Sequence, residues 1–284
     1  MNILVTGANG QLGNEVQLLA PNSTNNFFFT DVTDLDISDK QAIQNFVVEN
    51  DIKIIINCAA YTAVEKAEEE PEKADLINHI AVRNLAEASK ERDILLIHVS
   101  TDYVFGGQGN LPFLEDDKVN PLGVYGKTKL AGEKAIQDSG CKALIFRTAW
   151  LYSSFGTNFV KTMIKLISEK ESIKVVYDQV GSPTYAGDLA KVLFNIAETG
   201  KYIGNEGIYH FTDEGVISWY DFAIEIAKQA GNTACKIYPC RSKEFPAKVK
   251  RPAYSVLDKA KIKRTFDIDI PYWKDSLAVC MEKL

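Results

Sequence analysis

A rhythm that begins at the first residues constrains this chain most: short apolar, β-branched runs alternate with helix-length amphipathic segments. The runs are Ile3 to Thr6, Phe27 to Thr30, Ile54 to Asn57, Leu95 to Ser100 and Ala143 to Arg147. Strands separated by a helix pair in parallel, because the crossover carries the chain back before the next strand starts. The pattern predicts an α/β fold, a Rossmann-like doubly wound parallel sheet with a smaller C-terminal α/β lobe. Segments 40–50 and 72–92 carry apolar side chains at three- and four-residue spacing; in the second, Leu76, Ile77, Ile80, Leu85 and Ala88 are expected to face the sheet. After Trp150 the rhythm loosens into helical stretches at 159–171, 187–199, 218–229 and 273–283. The expected division is a sheet domain over 1–150, recruiting part of 173–202, and a lobe over 151–284.

Composition narrows the partners. A chain of 284 residues that is 46% hydrophobic can bury a substantial core. Its net charge of -6 opposes a surface that collects nucleic-acid phosphates, so a small molecule is the expected partner, with no nucleic acid and no membrane. No apolar stretch approaches the roughly 18 residues needed to span a bilayer. Five cysteines without C-x-x-C spacing read as reduced thiols of a cytoplasmic protein expected to begin at Met1.

Gly7-Ala8-Asn9-Gly10-Gln11-Leu12-Gly13 follows the first strand and opens a helix, where backbone N–H groups and the helix dipole hold a pyrophosphate. Asp31 ends the second strand, where an acid can bond a ribose 2′-hydroxyl; it can equally cap a turn. No Arg or Lys stands between Gly13 and Lys40 to receive a 2′-phosphate, which favours NADH on local chemistry. The sheet domain is thus expected to bind NAD(P) and the lobe to hold substrate.

Tyr125 and Lys129 stand four apart, one turn of a helix, and no other tyrosine in the chain has a lysine four residues after it. Such a pair occurs about once by chance in a chain of this composition. Position gives it weight: it follows the fourth strand, whose end carries Ser100-Thr101-Asp102-Tyr103, and open α/β sheets bind ligands beyond the carboxyl ends of their strands. The chemistry expected is carbonyl reduction, with Tyr125 protonating the oxygen while Thr101 orients it. Lys129 would hold ribose hydroxyls and draw the phenol toward neutrality.

At these residues the chain resembles the extended short-chain dehydrogenase/reductases and, within them, the dTDP-4-dehydrorhamnose reductase family. The resemblance runs through Gly7 to Gly13, Asn57 to Glu68, Ser100 to Gly106, Asn120 to Glu133, Arg147 to Tyr152, Asn158-Phe159, Asp178 to Thr184 and Arg251-Pro252. It implies reduction of a dTDP-linked 4-keto-6-deoxy sugar with NADPH or NADH. It implies a cofactor site of Gly7, Gly10, Gln11, Leu12, Gly13, Asp31, Asp36, Ile37, Ala59, Ala60, Thr62, Tyr125 and Lys129. The implied substrate contacts are Val64, Thr101, Asp102, Tyr103, Trp150, Asn158 and Arg251. Some relatives dimerise through magnesium. Glu15 stands at one such position, but Gly187 and Asp188 do not reproduce the expected acid, so magnesium is not expected, and the chain is read as a monomer or homodimer.

Alternatives remain open at this stage. Trp150 can pack in the core or bound the sugar, and Lys248, Lys250 and Arg251 can meet a diphosphate or form a solvated face. His79, His98 and His210 lack metal spacing and read as structural. An epimerase or dehydratase of the same architecture would use the same tyrosine, although a dehydratase would place Glu where Tyr103 stands. A non-catalytic subunit like the partner of methionine adenosyltransferase would share the fold, and retention of Thr101, Tyr125 and Lys129 weighs against it.

Overall fold

The computed structural model describes residues 1–232, 234–244 and 249–284. Strands β1 (Asn2–Thr6), β2 (Asn26–Thr30), β3 (Ile52–Asn57), β4 (Leu95–Thr101) and β5 (Ala143–Thr148) and the strand Gly207–His210 form one parallel sheet. Their order is Gly207–His210, β5, β4, β3, β1, β2. Both faces are covered, so apolar residues run continuously along the strands. Ile3, Val5, Ile54, Ile56, Leu95 and Ile97 pack with helix α1 (Gln11–Leu19) and helix Ala186–Thr199. Leu4, Ile55, Leu96 and Ile145 point the other way, against α2 (Lys40–Glu49) and the helices Ala81–Arg92 and Val124–Ser139. Each such fully buried side chain contributes about 1.5–3 kcal/mol.

The chain runs from β1 outward to β2, then crosses back over β1 to β3 and continues the other way, so the order reverses between β1 and β3, and the glycine loop emerges at the crevice of that reversal. Segment 72–92 departs from the expected single helix. A π turn at Leu76–Ile80 rotates its face, leaving Leu76 43% exposed while Asn78 points inward. Asn78 then bonds both backbone groups of Tyr61 and the Thr128 hydroxyl, tying the loop after β3 to the Val124–Ser139 helix. π turns of this kind cluster at functional sites.

The lobe has its own core of Tyr152, Val160, Met163, Tyr185, Phe222 and Trp273, beneath helices Phe159–Glu169, Trp219–Gln229 and Trp273–Met281. Its sheets are two-stranded, such as Ser172–Val176 paired in parallel with Lys236–Cys240. Ser218 and Asp221 form a reciprocal capping box on the Trp219–Gln229 helix. No helix among the described residues is long and apolar enough to cross a membrane.

Candidate active site

Gly7 has φ +65°, and a Cβ there would lie 2.6 Å from the Ala59 backbone, so the loop after β1 and the loop after β3 touch only because this residue is glycine. Gly10 caps α1 without a side-chain bond, leaving the first-turn N–H groups, at Gln11, Leu12 and Gly13, to an anion. Asp31 stands at the end of β2 as expected and also braces the loop: its carboxylate accepts from Asn9 N–H at 3.1 Å and Val32 N–H at 2.8 Å. Asp36 is exposed and accepts from the Ser38 N–H and hydroxyl, while Ile37 packs at the sheet's edge. Beyond β3, Ala59 and Ala60 are partly covered and Thr62 is exposed at the rim.

The Val124–Ser139 helix presents Tyr125 from its first turn. Gly123 caps it without a side chain, and Glu68 accepts the Val124 N–H at 2.7 Å instead, a carboxylate at the positive end of the helix dipole. A Cβ on Gly126 would sit 2.3 Å from the Tyr103 carbonyl, so glycine is needed for the helix to approach the end of β4. There Thr101 accepts the Tyr103 N–H at 3.2 Å and donates to Asp102 Oδ1 at 3.0 Å, and its hydroxyl stands on the side of the Tyr125 phenol. The Tyr103 ring meets Tyr125 edge-on at 5.4 Å.

The electrostatics differ from the expected depression of the phenol. Burial pushes Tyr125 up to about 12; the Thr101 hydrogen bond pulls it down and the Asp102 charge adds to the rise. Lys129 is spent elsewhere: its Nζ donates to the Val99 carbonyl at 2.6 Å and lies 3.4 Å from His98 Nε2. Burial draws that ammonium down to about 8, with Glu133 opposing. His98 is held well below its ordinary range by burial and then by Lys129, and its Nδ1 meets Asn57 Nδ2 at 3.0 Å. Asn57 Oδ1 accepts from Thr6 and from Ala59 N–H, so one buried polar chain joins β1, β3 and β4 to the Val124–Ser139 helix.

Sequence reasoning missed the support beneath. Glu133, one turn beyond Lys129, forms a forked pair with Arg147, with Nε–Oε1 at 3.0 Å and Nη2–Oε2 at 2.7 Å. Ser100 donates to the same carboxylate, and both ions are almost wholly buried. The stripe Tyr125, Lys129, Glu133 at four-residue spacing was the available signal.

Trp150 has φ +50°, a strained conformation for a bulky residue, and stacks on Trp219 at 3.7 Å. Beside this pair lies a cavity of about 730 Å³, lined by Phe159, Met163, Val175, Trp219, Lys250 and Arg251 among others. Arg251 bonds Glu65 at 3.1 Å, next to Val64, and its buried Nε has no hydrogen-bond partner among the described residues. Lys248 lies outside the described residues. Asn158 is a helix cap: it accepts from Lys161 N–H, while its Nδ2 donates to Gln11 Oε1 at 2.9 Å and so fastens the lobe to the glycine loop. Glu15 is buried against Ser153 at 2.7 Å, Tyr185 at 3.3 Å and the Lys283 ammonium at 3.7 Å. A carboxylate already facing an ammonium does not fit a divalent cation.

The family model described as RmlD substrate binding domain matches residues 1–284. A dTDP-4-dehydrorhamnose reductase of Aggregatibacter actinomycetemcomitans is 40% identical, the match covering 97% of this chain and 96% of that protein. The crystal structure of one from Clostridium acetobutylicum is 44% identical with a TM-score of 0.94, covering 99% of each chain. One from Bacillus anthracis, solved in complex with NADP, is 38% identical with a TM-score of 0.94, covering 100% of this chain and 99% of that one. A six-stranded crevice with these side chains and this likeness along the whole length have one explanation: the chain belongs to the RmlD family of dTDP-4-dehydrorhamnose reductases.

Proposed function

We propose that the protein reduces the 4-keto group of dTDP-4-dehydro-6-deoxy-L-mannose (dTDP-4-dehydrorhamnose) to give dTDP-L-rhamnose, with NADPH or NADH as donor and Tyr125 as proton donor. The observation that carries this is the place of Tyr125, packed on Tyr103 beside Thr101 at the carboxyl end of β4, the same edge of the parallel sheet from which the glycine loop leaves β1. The residues fit a dinucleotide: an uncapped helix start, the sharp turn at Gly7 and an acid at the end of β2. The bound dinucleotide supplies the hydride.

The chain's own residues supply the rest. Burial keeps the Tyr125 phenol protonated at neutral pH, the state that an acid in carbonyl reduction requires. Lys129, fixed on the Val99 carbonyl beneath Tyr125, stands at the ribose side of the crevice. Trp150 on Trp219 bounds the sugar, the Arg251 guanidinium at the cavity wall meets the diphosphate, and the apolar wall of Phe159, Met163 and Val175 receives the base. The complex of a relative with NADP supports NADPH, and the Asp31 carboxylate at the loop supports NADH. Retention of Tyr103 after Asp102 supports reductase over dehydratase.

The test mixes purified protein with dTDP-4-dehydrorhamnose and either NADPH or NADH, follows nicotinamide absorbance and identifies the product. Stoichiometric oxidation with formation of dTDP-L-rhamnose is expected. Inertness with both dinucleotides overturns the assignment.

A further inference from the structure

Helix α1 serves both halves of the molecule. Its first-turn N–H groups are the ones left to a pyrophosphate, while the side chains of Gln11 and Glu15, one turn apart on a single face, meet the lobe. The loop 153–158 closes over that face. Ser153 donates to Glu15 Oε1 at 2.7 Å, and the turn at Gly156 lies so near Gln11 that a Cβ would stand 3.1 Å from Cγ. Asn158 Nδ2 donates to Gln11 Oε1 at 2.9 Å and to the Ser153 carbonyl at 2.7 Å. Glu15 is held by Tyr185 and Lys283 as well, a turn beyond the anion-binding end of the helix. Gln11 differs from it, because one residue carries both an anion-binding N–H and the amide that grips the lobe.

The other end of the link reaches the cavity. Asn158 is buried, and its Oδ1 accepts the Lys161 N–H at 3.1 Å, capping the helix Phe159–Glu169. Its carbonyl accepts the Thr162 hydroxyl at 2.8 Å. The next residue, Phe159, and Met163 one turn on form part of the cavity wall, and the Phe159 ring meets Trp219, on which Trp150 is stacked, at 4.5 Å. One side-chain amide therefore separates the glycine loop from the start of that wall.

We infer that Asn158 is a positioning residue that couples the two ligand sites: through Gln11, an anion on the glycine loop fixes the start of the Phe159–Glu169 helix and with it the wall that receives the sugar nucleotide. The inference rests on the proposed reduction and deepens it, since it makes dinucleotide and sugar nucleotide bind cooperatively. Whichever ligand arrives first completes the ordering of Gln11, the loop 153–158 and the turn at Phe159. The second then binds more tightly, and the gain is the same in either order. A reductase gains by this, because a sugar nucleotide held without a hydride donor occupies the cavity to no effect.

Two measurements test it. The first uses dTDP-L-rhamnose with NADPH or NADH, a pair in which both partners are reduced and no hydride can pass. Calorimetric titration of each ligand, alone and with the other at saturation, should show each tightening the other by about fivefold or more. Asn158→Ser keeps a helix cap but does not reach Gln11, and Gln11→Met keeps the backbone N–H and the side-chain length but not the acceptor. Each should bring the factor to within about twofold of one, and the double variant should go no further than either single, because both cut the same link. A role confined to capping would leave Asn158→Ser with the wild-type factor; that result overturns the inference, as does a wild-type factor near one. The second measurement needs no sugar nucleotide. On adding NADP+ or NAD+, amide hydrogen exchange should slow at the glycine loop in wild type and Asn158→Ser alike, and at 159–165 in wild type alone. Protection of the loop without protection at 159–165 in wild type, or equal protection there in the variant, overturns the inference. Should dTDP-L-rhamnose fail to bind wild type, the proposed substrate is wrong, and the exchange pattern alone decides whether Asn158 links the two sites.

Discussion

The sheet half and the lobe contribute to the site in opposite ways. In the sheet half Thr101, Tyr125 and Gly7 hang from the end of one strand, the first turn of one helix or one turn, with supports near in sequence: Thr101 by Tyr103, Tyr125 by its own helix, Gly7 by its turn. In the lobe the cavity wall draws on Phe159, Val175, Trp219 and Arg251, residues separated by long stretches of chain. The difference teaches that chemistry here is written in local geometry and recognition in assembled surface. Ligand affinity should respond to packing in the lobe, and turnover to single atoms in the sheet half.

The largest effect expected is at Tyr125. Tyr125→Phe should lower turnover by about 10²–10⁴-fold, with dinucleotide affinity and unfolding midpoint unchanged, measured by steady-state kinetics, fluorescence titration and thermal melts. Near-normal turnover would break the assignment of the chemistry to the sheet half. Next is the buried support: Arg147→Met leaves Glu133 uncompensated and should cost about 3–5 kcal/mol in urea unfolding. A cost near zero would mean that the pair does not hold the Val124–Ser139 helix. The smallest effect sharpens the lobe's side. Trp219→Ala removes the ring under Trp150 and should raise KM for the sugar nucleotide about tenfold, or about 1.4 kcal/mol, while leaving dinucleotide affinity and kcat within about threefold. Loss of dinucleotide affinity instead would show that the two halves are not separable.

Several features were legible before any coordinates. The five apolar runs became β1 to β5, the glycine loop stood at the start of α1, and Thr101, Tyr125 and Lys129 met at the end of β4. Local rules suffice for these, since period, turn chemistry and the carboxyl-end rule depend on residues near in sequence. The face of segment 72–92 was misread at Leu76 because a π turn, a one-residue insertion in the helical phase, carries no signature in apolar spacing.

What the sequence by itself determined, then, is the sheet, the crevice and the place of Tyr125, the proposed acid, beside them. Tertiary structure alone decided the electrical state of that acid. Spacing suggested that Lys129 draws the phenol down, yet burial raises it, because Lys129 is committed to Val99 and the site is shielded from water. It alone decided the depth of Asp102, the pairing of Glu133 with Arg147 and the seat of Trp150 on Trp219. Desolvation and long-range pairing depend on which distant segments exclude water from a group, and no local pattern of residues encodes that.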